Sequence, residues 1–314
     1  MPESIAMREA FGQTLVELGK RVPELLVLDA DVAPSTRAVL FAQAFPERFI
    51  QVGIAEQNMV GMAAGLSTLG FIPFTSTFAC FAAKRDLDQV RIVVAQPKNN
   101  VKITGHYSGL IAGKTGKTHL SVQDLAIMRC MPNMTVIAPA DGVEVARAME
   151  VMVAEHGPMY LRLSRDPSPV IFDPSYRFEL GKAVLLREGG EVALVSTGTQ
   201  TARTLEAADM LKAEGISALV LHVPTLKPLD VDAIVAAADR TGLVITAEEH
   251  SILGGLGGAV AEILSEHLPT PLSRVGVRDV NAESAPNDDL LEKYGLTARH
   301  VADAARSHLA KWRR

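Results

Sequence analysis

From Leu25 onward the chain repeats one unit: a short apolar run, a turn, and then a stretch with helical spacing. Leu25-Leu-Val-Leu28, Phe49-Ile-Gln-Val52, Phe71-Ile-Pro-Phe-Thr75, Asn100-Val-Lys-Ile-Thr104, Thr135-Val-Ile-Ala138 and Met159-Tyr-Leu-Arg-Leu163 read as strands. Residues 5–21, the stretch from Ala33 to Phe45, the segment after Ala55, Asp86 to Val94 and Val143 to Glu155 read as helices. Strands this short and this continuously apolar are buried on both faces, as in parallel sheets. Regular alternation with helices predicts an α/β fold, with helices covering both sides of the sheet.

The pattern breaks once. Asp166-Pro-Ser-Pro169 and Phe172-Asp-Pro-Ser175 form a proline-rich connector, the composition expected between domains. Alternation then resumes with strands at 192–196, 218–221 and 242–246, and helices at 200–214, 230–238, 256–267 and 298–311. The expected architecture is two three-layer α/β/α domains with mostly parallel sheets. Residues 1–166 would form the first, 167–180 the connector and 181–314 the second. A chain of 314 residues is long enough to give each its own core.

A net charge of −5 offers no basic field for nucleic acid, and the basic end Lys311-Trp-Arg-Arg314 is too short to change that. No apolar run is long enough to span a bilayer. Met1-Pro-Glu-Ser4 lacks the basic and apolar segments of a secretory signal. Cys80 and Cys130, both in apolar surroundings, are expected to be buried free thiols. The expected location is the cytoplasm, with neither nucleic acid nor membrane as partner.

The chemistry concentrates in Gly53-Ile-Ala-Glu-Gln-Asn58 and the small-residue run Gly61-Met-Ala-Ala-Gly65. A carboxylate heading so apolar a helix has two readings. It either serves the helix terminus, through the dipole and the orphan N–H groups, or it is a desolvated acid kept for proton exchange. The stretch resembles the signature of the pyrimidine-binding domain of transketolase-like, thiamine-diphosphate-dependent enzymes. That resemblance implies that Glu56 contacts N1′ of the cofactor's aminopyrimidine and promotes the reactive ylide.

It covers nearly the whole chain and carries further positions with it. Phe78 and Phe81 would stack on the pyrimidine. Asp31, in Asp29-Ala-Asp-Val-Ala-Pro-Ser35, would lie near the cofactor where two chains meet, and Ser35 would contact a sugar phosphate. Arg8 and Arg165 would bind phosphate through their guanidinium forks. His106 and His119, bracketing a glycine-rich segment, would bind substrate hydroxyls and assist proton transfer. His106 fits only with a one-residue insertion.

Thr115 and Lys117 stand where this family usually has an acid and a proline before the second histidine. The change points away from the ordinary pentose phosphates and toward a more anionic or differently branched sugar phosphate. Gly113-Lys-Thr-Gly-Lys-Thr118 lacks the spacing of a P-loop, and the glycines of Ala247–Gly258 do not fit a dinucleotide fingerprint.

The Gly-Asp-Gly that marks the family's magnesium-diphosphate site does not occur in the chain, so no metal ligand is assigned to it. The resemblance thus implies the carboxyl-terminal subunit of a two-component transketolase, transferring a two-carbon ketol unit between sugar phosphates. A separate amino-terminal subunit would hold the diphosphate and Mg²⁺, in an α2β2 heterotetramer with a self-paired core. The rival readings are a beta subunit of a 2-oxo acid dehydrogenase decarboxylating component and a non-catalytic assembly subunit of the same fold.

Overall fold

The computed structural model describes residues 4–312. The residues Met1–Glu3 and the final two arginines of the basic end fall outside them. Fourteen strands are present among the described residues. In the first half they are β1 (Ser4–Ala6), β2 (Leu25–Asp29), β3 (Phe49–Gln51), β4 (Ile72–Phe78), β5 (Lys102–His106), β6 (Thr135–Ile137), β7 (Met159–Arg162) and β8 (Pro167–Pro169). The second half adds β9 (Val184–Arg187), β10 (Val192–Ser196), β11 (Ala218–His222), β12 (Thr225–Lys227), β13 (Val244–Ser251) and β14 (Leu272–Val277).

The first sheet has the order β12-β6-β7-β5-β4-β2-β3 and the second β14-β13-β10-β11-β9. Each is parallel except for one edge strand, β12 against β6 and β9 against β11. The expected mostly parallel α/β architecture is what forms. β2, with every residue buried, lies between β3 and β4, so the chain reverses its direction of travel across the sheet there. Such a switch point leaves a crevice at the carboxyl ends of the strands, where open α/β sheets bind ligands. The second sheet has its own switch between β10 and β13.

The connector is not a loose tether. Its residues 167–169 form β8, paired antiparallel with β1. Asp141, at the start of the helix Gly142–Ala154, accepts from the Ile171 and Phe172 amides at 2.6 and 2.9 Å. Phe172 stacks on Tyr176, and Phe178 is buried with the first domain's core. The domains are also cross-linked in strand order, because β12 of the second half completes the first sheet.

Three local expectations need correction. The segment 86–94 is a short turn, Leu87–Gln89, running into a π-helix, Val90–Ala95. The helix Ala33–Phe45 is broken into Ala33–Thr36 and Val39–Ala44 by Arg37 at φ 69°. Cys80 is buried, its thiol pushed up to about 11 by desolvation, but Cys130 is exposed and its Sγ donates to the Ile127 carbonyl.

Candidate active site

Side chains at the carboxyl ends of β2, β3, β4, β5 and β7 converge on the first sheet's switch point. Glu56 opens the helix Glu56–Ser67 just after β3 and is only 1% exposed. It does not cap that helix. Its Oε1 accepts from Arg85 Nη1 at 2.6 Å, and its Oε2 is buried without a partner. Of the two readings, the structure favours a carboxylate withheld from the helix amides, with compensating charge on one side only. An orphaned buried acceptor costs about 1–3 kcal/mol, which makes Oε2 a candidate acceptor for a ligand's donor.

Arg85 also lies over the Phe81 ring, 4.0 Å from its centroid. Phe78 ends β4, and Phe81 sits in the single turn Ala79–Ala82 that follows. Their ring centroids are 5.9 Å apart with planes 28° from parallel. His119 meets both edge-on, at 5.9 and 5.5 Å, and shares a hydrogen bond between Nδ1 and Thr118 Oγ1. Glu56 is thus linked through Arg85 to a cluster of Phe81, Phe78 and His119.

Tyr107 was missed. It stacks on Phe78 at 4.2 Å, with the Arg165 guanidinium 5.3 Å from its ring centroid. Proximity to the Tyr107 side chain is the largest influence holding Arg165 above its ordinary pKa. Tyr107 adopts φ 59°, in the left-handed region, an unfavourable conformation for a bulky side chain that is tolerated mainly at functional sites.

The structure does not bring His106 to that wall. His106 shares a face of β5 with Thr104, whereas Tyr107 lies past the end of the strand at a left-handed turn. Its ring is fully buried, 3.2 Å from Thr104 Oγ1 and edge-on to Phe11 at 4.6 Å. Desolvation, helped by the Arg8 charge, lowers it to about 3. Its Nδ1 is buried without a partner, and the ring lies among Thr104 and Phe11 rather than with Phe78, Phe81 and His119.

Arg8 and Ser35 meet behind it, Arg8 Nη1 donating to the Ser35 carbonyl at 3.2 Å while Nε stays unpartnered. Asp31 is exposed at φ 62°, its N–H bonded to Gln51 Oε1 at 2.9 Å. Asp29 is the buried acid of that turn, and desolvation raises it. Arg165 pairs with Asp166 at 2.6 Å. Lys114 and Lys117 are exposed on the loop between Tyr107 and His119. Among the described residues no group of three or more histidine, cysteine or carboxylate side chains is arranged to hold a metal, and no helix is long and apolar enough to cross a membrane.

Two linked α/β domains in this order are what sequence comparison also finds. Residues 3–169 match the transketolase pyrimidine-binding domain and residues 181–301 the transketolase C-terminal domain, and the chain belongs to the transketolase family. It is 45% identical to a 6-deoxy-6-sulfo-D-fructose transketolase subunit of Clostridium sp. (strain MSTE9), over 95% of this chain and 93% of the relative. It is 36% identical to one of the subunits of the apulose-4-phosphate transketolase of Phocaeicola vulgatus, over 98% of each. A solved structure described as a split gene transketolase, inactive beta4 tetramer, superposes with a TM-score of 0.90 at 50% identity, covering 98% of this chain and 99% of that one. This is a transketolase-type chain of the carboxyl-terminal, split-subunit kind.

Proposed function

We propose that this chain supplies the pyrimidine-binding half of a thiamine diphosphate site which a second, diphosphate-binding chain completes. The observation that carries the reading is Glu56: a buried carboxylate with one oxygen unpartnered, beside two nearly parallel phenylalanine rings. A flat heterocycle with a ring nitrogen fits both features. When bound, thiamine diphosphate supplies the electron sink for breaking and making the carbon–carbon bond next to a ketose carbonyl.

In this reading Glu56 holds the proton shared with the ring nitrogen, and Phe78 and Phe81 fix the ring's plane. Asp31 lies at the border with the second chain. His119 and Tyr107 orient substrate hydroxyls, while Arg165, and Arg8 with Ser35, receive the substrate's terminal anion. The partner chain holds the diphosphate and Mg²⁺. The pair transfers a two-carbon ketol unit between sugar phosphates in the cytoplasm, assembled as α2β2.

A partner is supported by the solvent face of the Glu56 helix. Gly61 and Gly65 leave open space there, Met62 is 37% exposed and nearby Ile54 74% exposed. Apolar surface of this kind marks contact with another chain. Lys114 and Lys117 support a strongly anionic sugar. The relatives named above act, by their descriptions, on a sulfo-sugar and a sugar phosphate.

The test mixes this chain with candidate diphosphate-binding subunits, thiamine diphosphate and Mg²⁺, and assays ketol transfer across sugars bearing terminal phosphate or sulfonate. Turnover only with both chains supports the reading. Best turnover of the ordinary pair, xylulose 5-phosphate and ribose 5-phosphate, would reject the proposed substrate class.

A further inference from the structure

The second domain's segment Ala247–Gly258 has no part in the reading above, yet Glu248, Glu249 and His250 in it are all buried. Glu248 is accounted for locally: its carboxylate takes the Leu256 and Gly257 amides at 2.7 and 2.8 Å, closing the start of the helix Leu256–His267. Glu249 instead reaches into the other domain. Its Oε1 accepts from the Leu110 and Ile111 amides at 2.5 and 3.0 Å. Its Oε2 accepts from Thr199 Oγ1 at 2.9 Å and Arg203 Nη1 at 3.3 Å.

Thr199 follows β10 and Glu249 lies in β13, so this carboxylate stands at the second sheet's own switch point. In an open α/β sheet that crevice is where a ligand would sit. Here main chain from the first domain fills it. Gly109, at φ 75°, is pressed so close that any side chain there would strike the Glu249 carboxylate. Leu110 and Ile111 come three and four residues after Tyr107, on the loop that ends at His119.

We infer that Glu249 is a positioning residue for the site, a clasp by which the second domain sets the loop carrying Tyr107 and His119. A charged acceptor suits this task, since charge-assisted hydrogen bonds are roughly twice as strong as neutral ones. Asn287 adds a second hold. Its Oδ1 accepts from the Gly113 amide at 3.1 Å, and its Nδ2 donates to Asp166, the ion-pair partner of Arg165, at 2.7 Å. The effect on turnover rests on the functional reading above, whereas the effect on the loop does not.

The test compares the full chain with Glu249→Ala and Glu249→Gln, first by amide hydrogen exchange and then, combined with the partner chain and thiamine diphosphate, by steady-state kinetics. Glu249→Ala should speed exchange across residues 107–119 by about tenfold or more while leaving residues 192–196 of β10 unchanged. Its KM for the ketose should rise about tenfold, with kcat reduced less. Glu249→Gln, which keeps a weaker acceptor, should shift both in the same direction, by about threefold. A folded Glu249→Ala whose loop exchanges at the wild-type rate overturns the inference. If that variant does not fold, unchanged loop exchange in Glu249→Gln overturns it instead. So does a variant with a lower melting temperature but an unaltered KM. A loosened loop in a protein whose wild type transfers no ketol unit would uphold the clasp and count against the functional reading alone.

Discussion

Arg85 holds Glu56 on one side only: its Nη1 is 2.6 Å from Oε1, and Oε2 faces no donor. One oxygen anchors the carboxylate in the fold, and in the function proposed above the other takes a ligand's donor. Glu56→Gln preserves size and a hydrogen bond to Arg85 but cannot exchange a proton. Turnover of the complete complex should fall about 10²–10⁴-fold, the usual worth of a positioned acid or base, while stability changes by about 1 kcal/mol or less. Parallel kinetic and thermal-melting measurements check both. Arg85→Met should do the reverse in stability. It strands a buried carboxylate, at a cost of about 1–3 kcal/mol, below the full value for a buried pair because Arg85 is 43% exposed.

Tyr107 and His106 are neighbours assigned opposite fates. Tyr107→Phe keeps the stacking on Phe78 and loses the hydroxyl beside Arg165, so KM for the sugar should rise about tenfold, the worth of one hydrogen bond. His106→Asn should leave KM unaltered and change the pH dependence of stability. The folded-state value near 3 lies below the ordinary 6.5, so between those values the unfolded chain binds the extra proton. That contribution to stability is complete above pH 6.5 and lost as pH falls toward 3, at about 1.4 kcal/mol per pH unit. Urea unfolding from pH 4.5 to 7.5 should show a flatter slope for the variant by about that amount.

Much of this organisation was legible in the sequence because it rests on strong local signals. β2 and β10 are short unbroken apolar runs, and Glu56 is a charge among residues that exclude water. Other parts rest on tertiary context. β12 is three residues with no periodicity, a strand only because β6 offers it an edge. The helix Asp124–Cys130 begins with a buried acid paired to Arg162 at 2.9 Å, so its head reads as a polar loop. The choice between His106 and Tyr107 turns on where β5 ends, at His106, and the chain turns away. The left-handed backbone at Tyr107 leaves no trace in composition.

The loop lysines bear on which sugars the site admits. Lys114 and Lys117 are exposed, so neither contributes much to folding, and their charge acts on what approaches. Lys117→Glu should raise KM for a sugar with a terminal sulfonate or phosphate about three- to tenfold, with kcat nearly unchanged. The effect should shrink as salt rises from about 0.05 to about 0.5 M, because the Debye length that screens exposed charges shortens from about 14 Å to about 4 Å. A substitution effect independent of salt would mean that Lys117 touches the substrate directly.

Asp141 offers a test of how firmly the connector is fastened. It is fully buried, its Oδ1 accepts from the Glu144 amide at 2.8 Å as the cap of the following helix, and its Oδ2 takes the two connector amides of Ile171 and Phe172. Asp141→Ala removes all three hydrogen bonds at once. Loss of the cap alone costs about 1 kcal/mol, and each stranded amide that water cannot reach adds about 1–3 kcal/mol. The expected loss is about 3 kcal/mol or more. Asp141→Asn can keep the cap through its amide oxygen but then turns its amino group toward the two connector amides, so it should still lose about 2 kcal/mol or more. If the connector were a passive tether, the asparagine variant would cost almost nothing and the alanine variant only the cap, so equilibrium unfolding would show the alanine variant within about 1 kcal/mol of wild type.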